Sequence, residues 1–484
     1  MTRLIQHECR LIWRTGVWAA CSLGLVAWLG VAAWTSAART AGDAAARRAY
    51  TALVADEWRT QPSRHPHRVA HYGFLVFRPI GPLTVLEPGV LPFTGSTLFL
   101  EAHRANLANF SDAAASHGLL RFGDLSPALV LQLFLPLVLI ATVAWAVARE
   151  RETGTRALVL AQGVAPWRVL VAKIAAVNAM TATALVPGLG VVWAAILAVG
   201  HDFPWPPDTS ARLLAWTAIH LVYLATVSAL ATVIAWHCRT ARSALVVLIS
   251  AWMASSVVVP RVLPAVVEAW MPTPSRSAFE AEVAAYALSL GDSHDPDDPA
   301  FAAFRRDTLA RYGVDRIEDL PVNYAGLVSA FGEELTTRAN QTFRDGLNDR
   351  YTAQERLASW ASLASPYLAV RRASLLTAGV DLDHANDFDR QAEAYRYALI
   401  QYLNGLHAHE IASDRDRYIA GATDIPVPSR QRLSGDRFQA APTFSFEPAT
   451  IAEATRQRPI VYLAVLGWAL VAVGTVAWWR ERHR

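Results

Sequence analysis

Six hydrophobic runs, uncharged except for Arg261 near the end of the fifth, lie along this chain, and polar segments of very different length separate them. Each run has roughly 20 or more residues, the length that an α-helix needs to cross a bilayer. The pattern predicts a mainly α-helical polytopic membrane protein with six transmembrane helices. The runs lie at residues 16–37, 125–147, 174–199, 213–236, 243–263 and 460–479. A cleaved signal peptide is the alternative for the first run, but the run is longer than a typical signal core.

Basic residues orient these helices, because loops that stay in the cytoplasm are enriched in Lys and Arg. The segments at 149–173, 239–242 and 480–484 are short and rich in arginine. They predict that both termini are cytoplasmic and that the short connection at 201–212 lies outside. Two long polar segments then also lie outside the cytoplasm.

The larger outer segment becomes helical beyond a stretch of Pro, Gly and Asp, since apolar side chains recur there at steps of three and four. This stripe comprises Phe388, Ala392, Tyr395, Leu399, Tyr402 and Leu406. The sequence leaves the fold of the smaller outer segment open. The predicted divisions are residues 1–37 (amphipathic surface helix and first span), 38–124 (first outer segment), 125–264 (spans two to five, with a loop at 149–173), 265–458 (large helical outer domain) and 459–484 (sixth span and basic tail).

Composition narrows the classes of function. Hydrophobic residues make up 53% of the chain and charged residues 18%, and the net charge is only +3. Nucleic-acid binding is disfavoured, because the basic residues cluster beside the hydrophobic runs and form no single stripe. The three cysteines, Cys9, Cys21 and Cys238, lie in or beside the spans or on the predicted cytoplasmic side, so neither outer segment can form an internal disulfide.

Motifs for catalysis are missing from the sequence. A phosphate-binding G-x-x-x-x-G-K-[ST] loop is excluded, because Lys173 is the only lysine and Ile174 follows it. The chain also has no G-x-S-x-G or H-E-x-x-H motif. We therefore predict that this chain is not itself an enzyme and holds no cofactor.

The loop between the second and third spans carries a resemblance to a known family. It reads Glu150-Arg151-Glu152-Thr153-Gly154-Thr155, and Gly163 and Lys173 follow. With six spans and an N-terminal surface helix, it resembles the coupling segment of permease subunits of ABC transporters of the ABC-2 exporter type. Stretches at 65–73, 100–103, 320–323 and 365–371 are similar to a subgroup with large extracytoplasmic insertions.

The resemblance implies that the loop seats on a separate ATPase subunit, which holds ATP and Mg. The implied coupling residues are Glu150, Arg151, Glu152, Gly154, Thr155 and Gly163. Glu150 and Glu152 would pair with arginines of that partner, and Gly154 and Gly163 would permit tight turns. Without the resemblance, the charges could be those of any cytoplasmic loop.

We therefore expect the permease subunit of an ATP-driven exporter in the bacterial inner membrane. It would form a homodimer or pair with a homologous permease, and its outer segments would gate release or dock a periplasmic partner. The alternative is a non-transporting membrane-anchored receptor or binding protein that acts through its outer segments. Neither hypothesis identifies a substrate.

Four histidines of the outer segments are candidate metal ligands: His65, His67, His71 and His103. Neutral imidazole binds zinc, copper or nickel, and an H-x-H pair places two rings on one side of an extended chain. Neighbouring Arg64, Arg68 and Arg78 disfavour a cation, so hydrogen-bonded packing of the histidines is the alternative.

Three polar residues inside the spans are costly in lipid and should face protein or a wet cavity. They are Gln132, Asn178 and His220. They could line a translocation path, or they could join neighbouring helices by hydrogen bonds.

Overall fold

The computed structural model describes residues 1–106, 108, 111, 124–200, 206–292, 295, 297–416 and 431–482. The first five residues of the predicted connection at 201–212, and the last two of the basic tail, lie outside these ranges.

Helices dominate the described residues, and six of them are long and apolar enough to cross a membrane. The predicted fold class and number of spans are therefore confirmed. A short helix, α1 (Thr2–Arg14), precedes the spans. The six are α2 (Val17–Arg59), α4 (Pro127–Glu152), α6 (Pro166–Val199), α7 (Thr209–His237), α8 (Ala241–Trp270) and α16 (Pro459–Arg482).

The segments predicted to share one side of the membrane meet at one end of the molecule. Arg480 of the tail lies 4.8 Å from the ring centroid of Trp167. Arg151 donates a hydrogen bond of 2.7 Å to the carbonyl of His237, at the end of α7. We call this end the loop face and the opposite end the domain face.

Helix α2 does not end where its hydrophobic run ends. It continues for 22 residues beyond residue 37 and stops at Arg59, so the predicted boundary at 37–38 falls inside a helix. The reason lies in residues 38–59, which are rich in alanine and lack proline. At 1.5 Å per residue, α2 is a rod about 65 Å long that rises from the loop face into the outer domain.

The first outer segment contains a short helix, α3 (Pro66–Tyr72), and a small antiparallel sheet. The strands of the sheet are β1 (Phe74–Phe77), β2 (Thr97–Glu101) and β3 (Arg104–Ala105). The strand order is β1-β2-β3, with Leu75 opposite Phe99. Gly73 separates α3 from β1 with a φ of +73°, and a Cβ there would lie 2.2 Å from the Phe99 ring, so only glycine fits.

The larger outer segment is helical, as predicted. Its helices are α9 (Arg276–Leu290), α10 (Pro299–Tyr312), α11 (Tyr324–Ala361), α12 (Pro366–Ala378), α13 (Leu382–Glu410), α14 (Gly435–Gln439) and α15 (Ile451–Gln457). The predicted apolar stripe lies on α13, where Phe388, Ala392 and Leu399 are buried and Tyr395 is half-buried. This face packs against α11, α3 and β2, which joins the two outer segments into one domain.

The connection between α11 and α12 reaches between the membrane helices. Ser365 donates to the backbone carbonyl of Ser255 in α8 at 2.9 Å, and Trp468 of α16 donates to the carbonyl of Ser362 at 3.0 Å. Ser255 lies 14 residues, or about 21 Å, from the start of α8 at the loop face. Part of the outer domain thus lies within the span bundle.

Candidate functional site

The loop between α4 and α6 folds as one short helix, α5 (Thr155–Ala161), between two glycine turns. Gly154 has a φ of +78° and Gly163 a φ of +79°. Residues with a Cβ rarely adopt this left-handed conformation. The predicted tight turns at both glycines are confirmed.

A buried ion cluster anchors the base of this loop. Lys173 Nζ lies 2.8 Å from Glu8 Oε2 and 2.8 Å from Glu150 Oε1, and it donates to the carbonyl of Ala146 at 3.1 Å. The Lys173 side chain is only 1% exposed. Burial raises the pKa of Glu8, and the positive charge of Lys173 opposes that shift. The cluster joins α1, α4 and α6.

Charged side chains also join the loop to the turn between α7 and α8. Arg151 donates to His237, and Arg156 donates to the carbonyl of Trp236 at 2.9 Å. Glu152 Oε2 accepts a hydrogen bond of 3.1 Å from the amide of Ala241, the first residue of α8. A carboxylate is favourable at this position, since it interacts with the positive end of the helix dipole.

These contacts give Glu150 and Glu152 partners within the chain: Glu150 binds Lys173, and Glu152 caps α8. Their pairing with arginines of an ATPase subunit stays a prediction. Both lie at the base of the loop, where an ammonium group and a backbone amide of the same chain are within reach. The outward surface is α5, on which the side chain of Leu158 is 67% exposed.

The pairing of Glu8 with Lys173 was not predicted. Each residue stands out in the sequence, because Lys173 is the single lysine of the chain and Glu8 is the only acidic residue of α1. Neither feature specifies a partner, because the two residues are 165 positions apart.

Two family models match the chain. One, described as ABC-2 family transporter protein, matches residues 6–280, more than half of the sequence. The chain belongs to the ABC-2 transporter family. The other model, Domain of unknown function (DUF3526), matches residues 276–447 of this ABC-2 protein. No curated protein and no solved structure matches this chain.

Family membership makes this chain the permease subunit of an ABC transporter and implies an ABC ATPase subunit as its partner. It favours the permease over the non-transporting receptor. It is also consistent with the expectation that the chain is a membrane subunit and not the enzyme of the complex.

Inside the spans of the ABC-2 permease, the structure brings together two of the three predicted polar residues. Gln132 Nε2 lies 3.1 Å from His220 Nε2, both residues are buried, and Tyr223 donates to the carbonyl of Gln132 at 3.0 Å. Asn178 lies apart and donates to the hydroxyl of Ser228 at 2.8 Å. Each residue therefore joins two helices of one chain, and a role in a translocation path stays a prediction.

The candidate metal-site histidines of the permease cluster on the domain face. His67 and His71 are one turn apart on α3, with their Nε2 atoms 3.2 Å apart. The ring centroid of His103 lies 5.3 Å from that of His71. Burial, reinforced by the neighbouring imidazoles, lowers the pKa of His67 to about 3, so His67 is neutral at neutral pH.

The sequence prediction missed His407 and Asp416, which also belong to this cluster. His65 Nε2 lies 3.3 Å from Asp416 Oδ1, and His407 Nε2 contacts Asp416 Oδ2. His407 lies at the end of α13 and Asp416 shortly after it, more than 300 residues from His65. Only the packing of α13 on α3 brings them together.

Proposed function

We propose that this permease is the membrane subunit of an ATP-driven exporter in the bacterial inner membrane, with both termini in the cytoplasm. The loop face would then be cytoplasmic, which its arginine-rich segments support. ATP and Mg would be held by the separate ATPase subunit, and this chain would move or extract the substrate.

The contrast between the base and the tip of the loop carries this proposal. The base is joined to α1 and α6 through Lys173 and to the α7–α8 turn through Arg151 and Glu152. The tip, α5, presents Leu158 to solvent. A subunit that binds α5 would move a compact unit, because Arg151, Glu152 and Arg156 hold the loop to the α7–α8 turn.

In the proposed cycle, ATP binding draws two ATPase subunits together, and each α5 moves with the subunit that it contacts. Displacement of the loop would act on four membrane helices at once and change the access to the path. This assigns coupling to Glu150, Arg151, Glu152, Gly154, Thr155 and Gly163, and adds Lys173 and Glu8 as positioning residues.

The unequal burial of the spans supports a dimer. The most apolar stretch of α4 is 61% buried within one chain, whereas those of α8 and α16 are 17% and 22% buried. Helices α8 and α16 thus leave apolar surface for lipid and for a second permease, either identical or homologous.

The domain face supports control of release. The α11–α12 connection contacts α8 and α16 through Ser365 and Ser362, so a shift of either span would move the outer domain. We propose that this domain gates substrate exit or docks a periplasmic partner, above a path that includes Gln132, Asn178 and His220.

The coupling proposal is tested by Leu158→Arg in α5, with the ATPase subunit co-expressed. Leu288→Arg is the matched control, since Leu288 is 62% exposed on α9 of the outer domain. We expect Leu158→Arg to lose co-purification of the ATPase and stimulation of ATP hydrolysis, and Leu288→Arg to retain both. Retention of both by Leu158→Arg would refute a coupling role for α5.

The orientation is tested by thiol labelling in a background without Cys9, Cys21 and Cys238. An impermeant reagent should label Ala157→Cys in inside-out vesicles only, and Ser289→Cys, on α9, in intact spheroplasts only. Both positions are exposed. The reverse pattern would overturn the proposed topology without affecting membership of the family.

A further inference from the structure

The histidine cluster contains a three-residue group with the composition of a metal site. We call His65, His407 and Asp416 the buried triad, and His67 and His71 the outer pair. One donor atom from each triad residue lies within 4.8 Å of the others, and all three residues are buried. The outer pair lies beside the triad, with the His67 and His407 ring centroids 6.0 Å apart.

We propose that the buried triad binds a divalent transition-metal ion of the zinc class, and that the outer pair receives the ion from solvent. Two imidazoles with one carboxylate form a frequent zinc ligand set, and a solvent molecule would complete it. Imidazole also disfavours magnesium and calcium relative to zinc.

The spacing of His65 and Asp416, and the spacing within the outer pair, suit such an ion. Tetrahedral zinc with bonds of about 2.0–2.1 Å to nitrogen places its ligand atoms about 3.3 Å apart. His65 Nε2 and Asp416 Oδ1 are 3.3 Å apart, and the Nε2 atoms of the outer pair are 3.2 Å apart. Asn323 donates to Asp416 Oδ2 at 2.6 Å and would orient this ligand, as residues behind metal ligands commonly do.

The local charge favours a cation. Two carboxylates, Glu333 and Glu393, share the single guanidinium of Arg396 close to His103, and Asp416 adds a further negative charge. Two arginines that argued against a cation in the sequence are engaged with other groups. Arg64 lies over the ring of Tyr72, and Arg78 donates to Thr94.

Backbone strain at His103 adds an independent sign of a functional arrangement. Its φ of +63° is the only positive value of a residue other than glycine in the described ranges. Such a conformation is costly and persists where surrounding contacts enforce it. Here Glu333 Oε2 accepts a hydrogen bond of 2.8 Å from the His103 backbone amide and lies 3.4 Å from His103 Nδ1. These contacts hold the imidazole of the strained residue beside the outer pair.

An ion in the triad would join the two outer segments. His65 follows α2, whereas His407 and Asp416 belong to the end of α13 and the residues after it. Arg64 and Leu433 already exchange backbone hydrogen bonds of 3.0 and 2.9 Å at this junction. Metal binding would therefore stabilise the contact between the first outer segment and the helical domain.

The test uses the full-length permease in detergent, freed of metal with a chelator and titrated with zinc chloride in a calorimeter. We expect one tightly bound ion per chain, no displacement by magnesium or calcium, and a rise in melting temperature with zinc. Cobalt(II) as a probe should give the visible absorption of a tetrahedral site.

Variants distinguish metal binding from packing. His407→Ala should lose stoichiometric binding, and Asp416→Asn, which keeps the shape of the side chain, should do the same. His71→Ala, at the exposed end of the cluster, should slow the uptake of zinc and keep the stoichiometry of one ion per chain. The control is His409→Ala, an exposed histidine two residues beyond His407, which should bind zinc like the wild type.

Two results would overturn the proposal. One is the absence of stoichiometric zinc binding to the folded wild-type protein, in which case Asp416 only accepts hydrogen bonds from its neighbours. The other is unchanged zinc affinity in folded Asp416→Asn. If His407→Ala loses helical circular dichroism, it is unfolded and does not count. Zinc binding by the wild type and by folded Asp416→Asn then decides the proposal.

Discussion

At each face of the permease, one buried cation contacts two carboxylates, at least one of which comes from a distant part of the chain. On the loop face, Lys173 lies between Glu8 and Glu150. On the domain face, Arg396 lies between Glu333 and Glu393. Both clusters carry two negative charges for one positive charge, and both join helices that the sequence places far apart.

The two clusters differ in the geometry of the cation and in the exposure of its carboxylate partners. Arg396 is a planar fork that also donates to the carbonyl of Glu101 at 3.1 Å and the hydroxyl of Thr337 at 2.9 Å. Lys173 is a compact ammonium group on a flexible stem, and its partner Glu150 is 18% exposed. The domain-face cluster therefore has one fixed arrangement, whereas the loop-face cluster can exchange contacts while it stays paired.

The largest effect is expected for Arg396→Met. It would leave Glu333 and Glu393 buried without their cation, which costs about 3–5 kcal/mol. Hydrogen exchange of α11 and α13 should accelerate, while α1 and α6 should exchange as in the wild type. The control is Arg396→Lys, which keeps the charge but not the planar guanidinium. Its stability should lie between those of the wild type and Arg396→Met. Equal stability of Arg396→Lys and wild type would contradict the argument from geometry.

A smaller effect is expected for Lys173→Met, because Glu150 retains access to water. The loss of charged hydrogen bonds should cost about 1.5–3 kcal/mol. Exchange should accelerate in α1, and stimulation of the ATPase should fall although the subunits still associate. The combined variant with Glu8→Gln and Glu150→Gln should recover stability, since no buried charge is then left unpaired. Failure to recover would mean that Lys173 acts by packing alone.

The smallest effect is expected for Glu152→Gln, which weakens the contact with the α8 amide while keeping the side-chain shape. The cost to stability should be about 0.3–1 kcal/mol. ATPase stimulation should fall more than stability does, because the contact links the loop to α8. Arg276→Ala is the control: its pair with Glu280 on the surface of α9 has both side chains more than half exposed, and neither readout should change.

The sequence predicted the spans well, because lipid imposes a length and a polarity on every helix that crosses it. It also predicted the turns at Gly154 and Gly163, since the glycine requirement is local. It missed the end of α2, where alanine-rich helix formers continue beyond the apolar run. It could not pair Glu8 with Lys173 or His65 with Asp416, because such pairs depend on helix packing between remote segments and leave no spacing rule in the chain.

The uninterrupted helix α2 has a mechanical consequence. Near its far end, Trp58 donates to the carbonyl of Phe438 at 3.1 Å and packs edge-on against Phe74. A tilt of about 5° at the loop face would shift the end of this rod of about 65 Å by about 6 Å. The outer domain would then follow the angle of the first span directly.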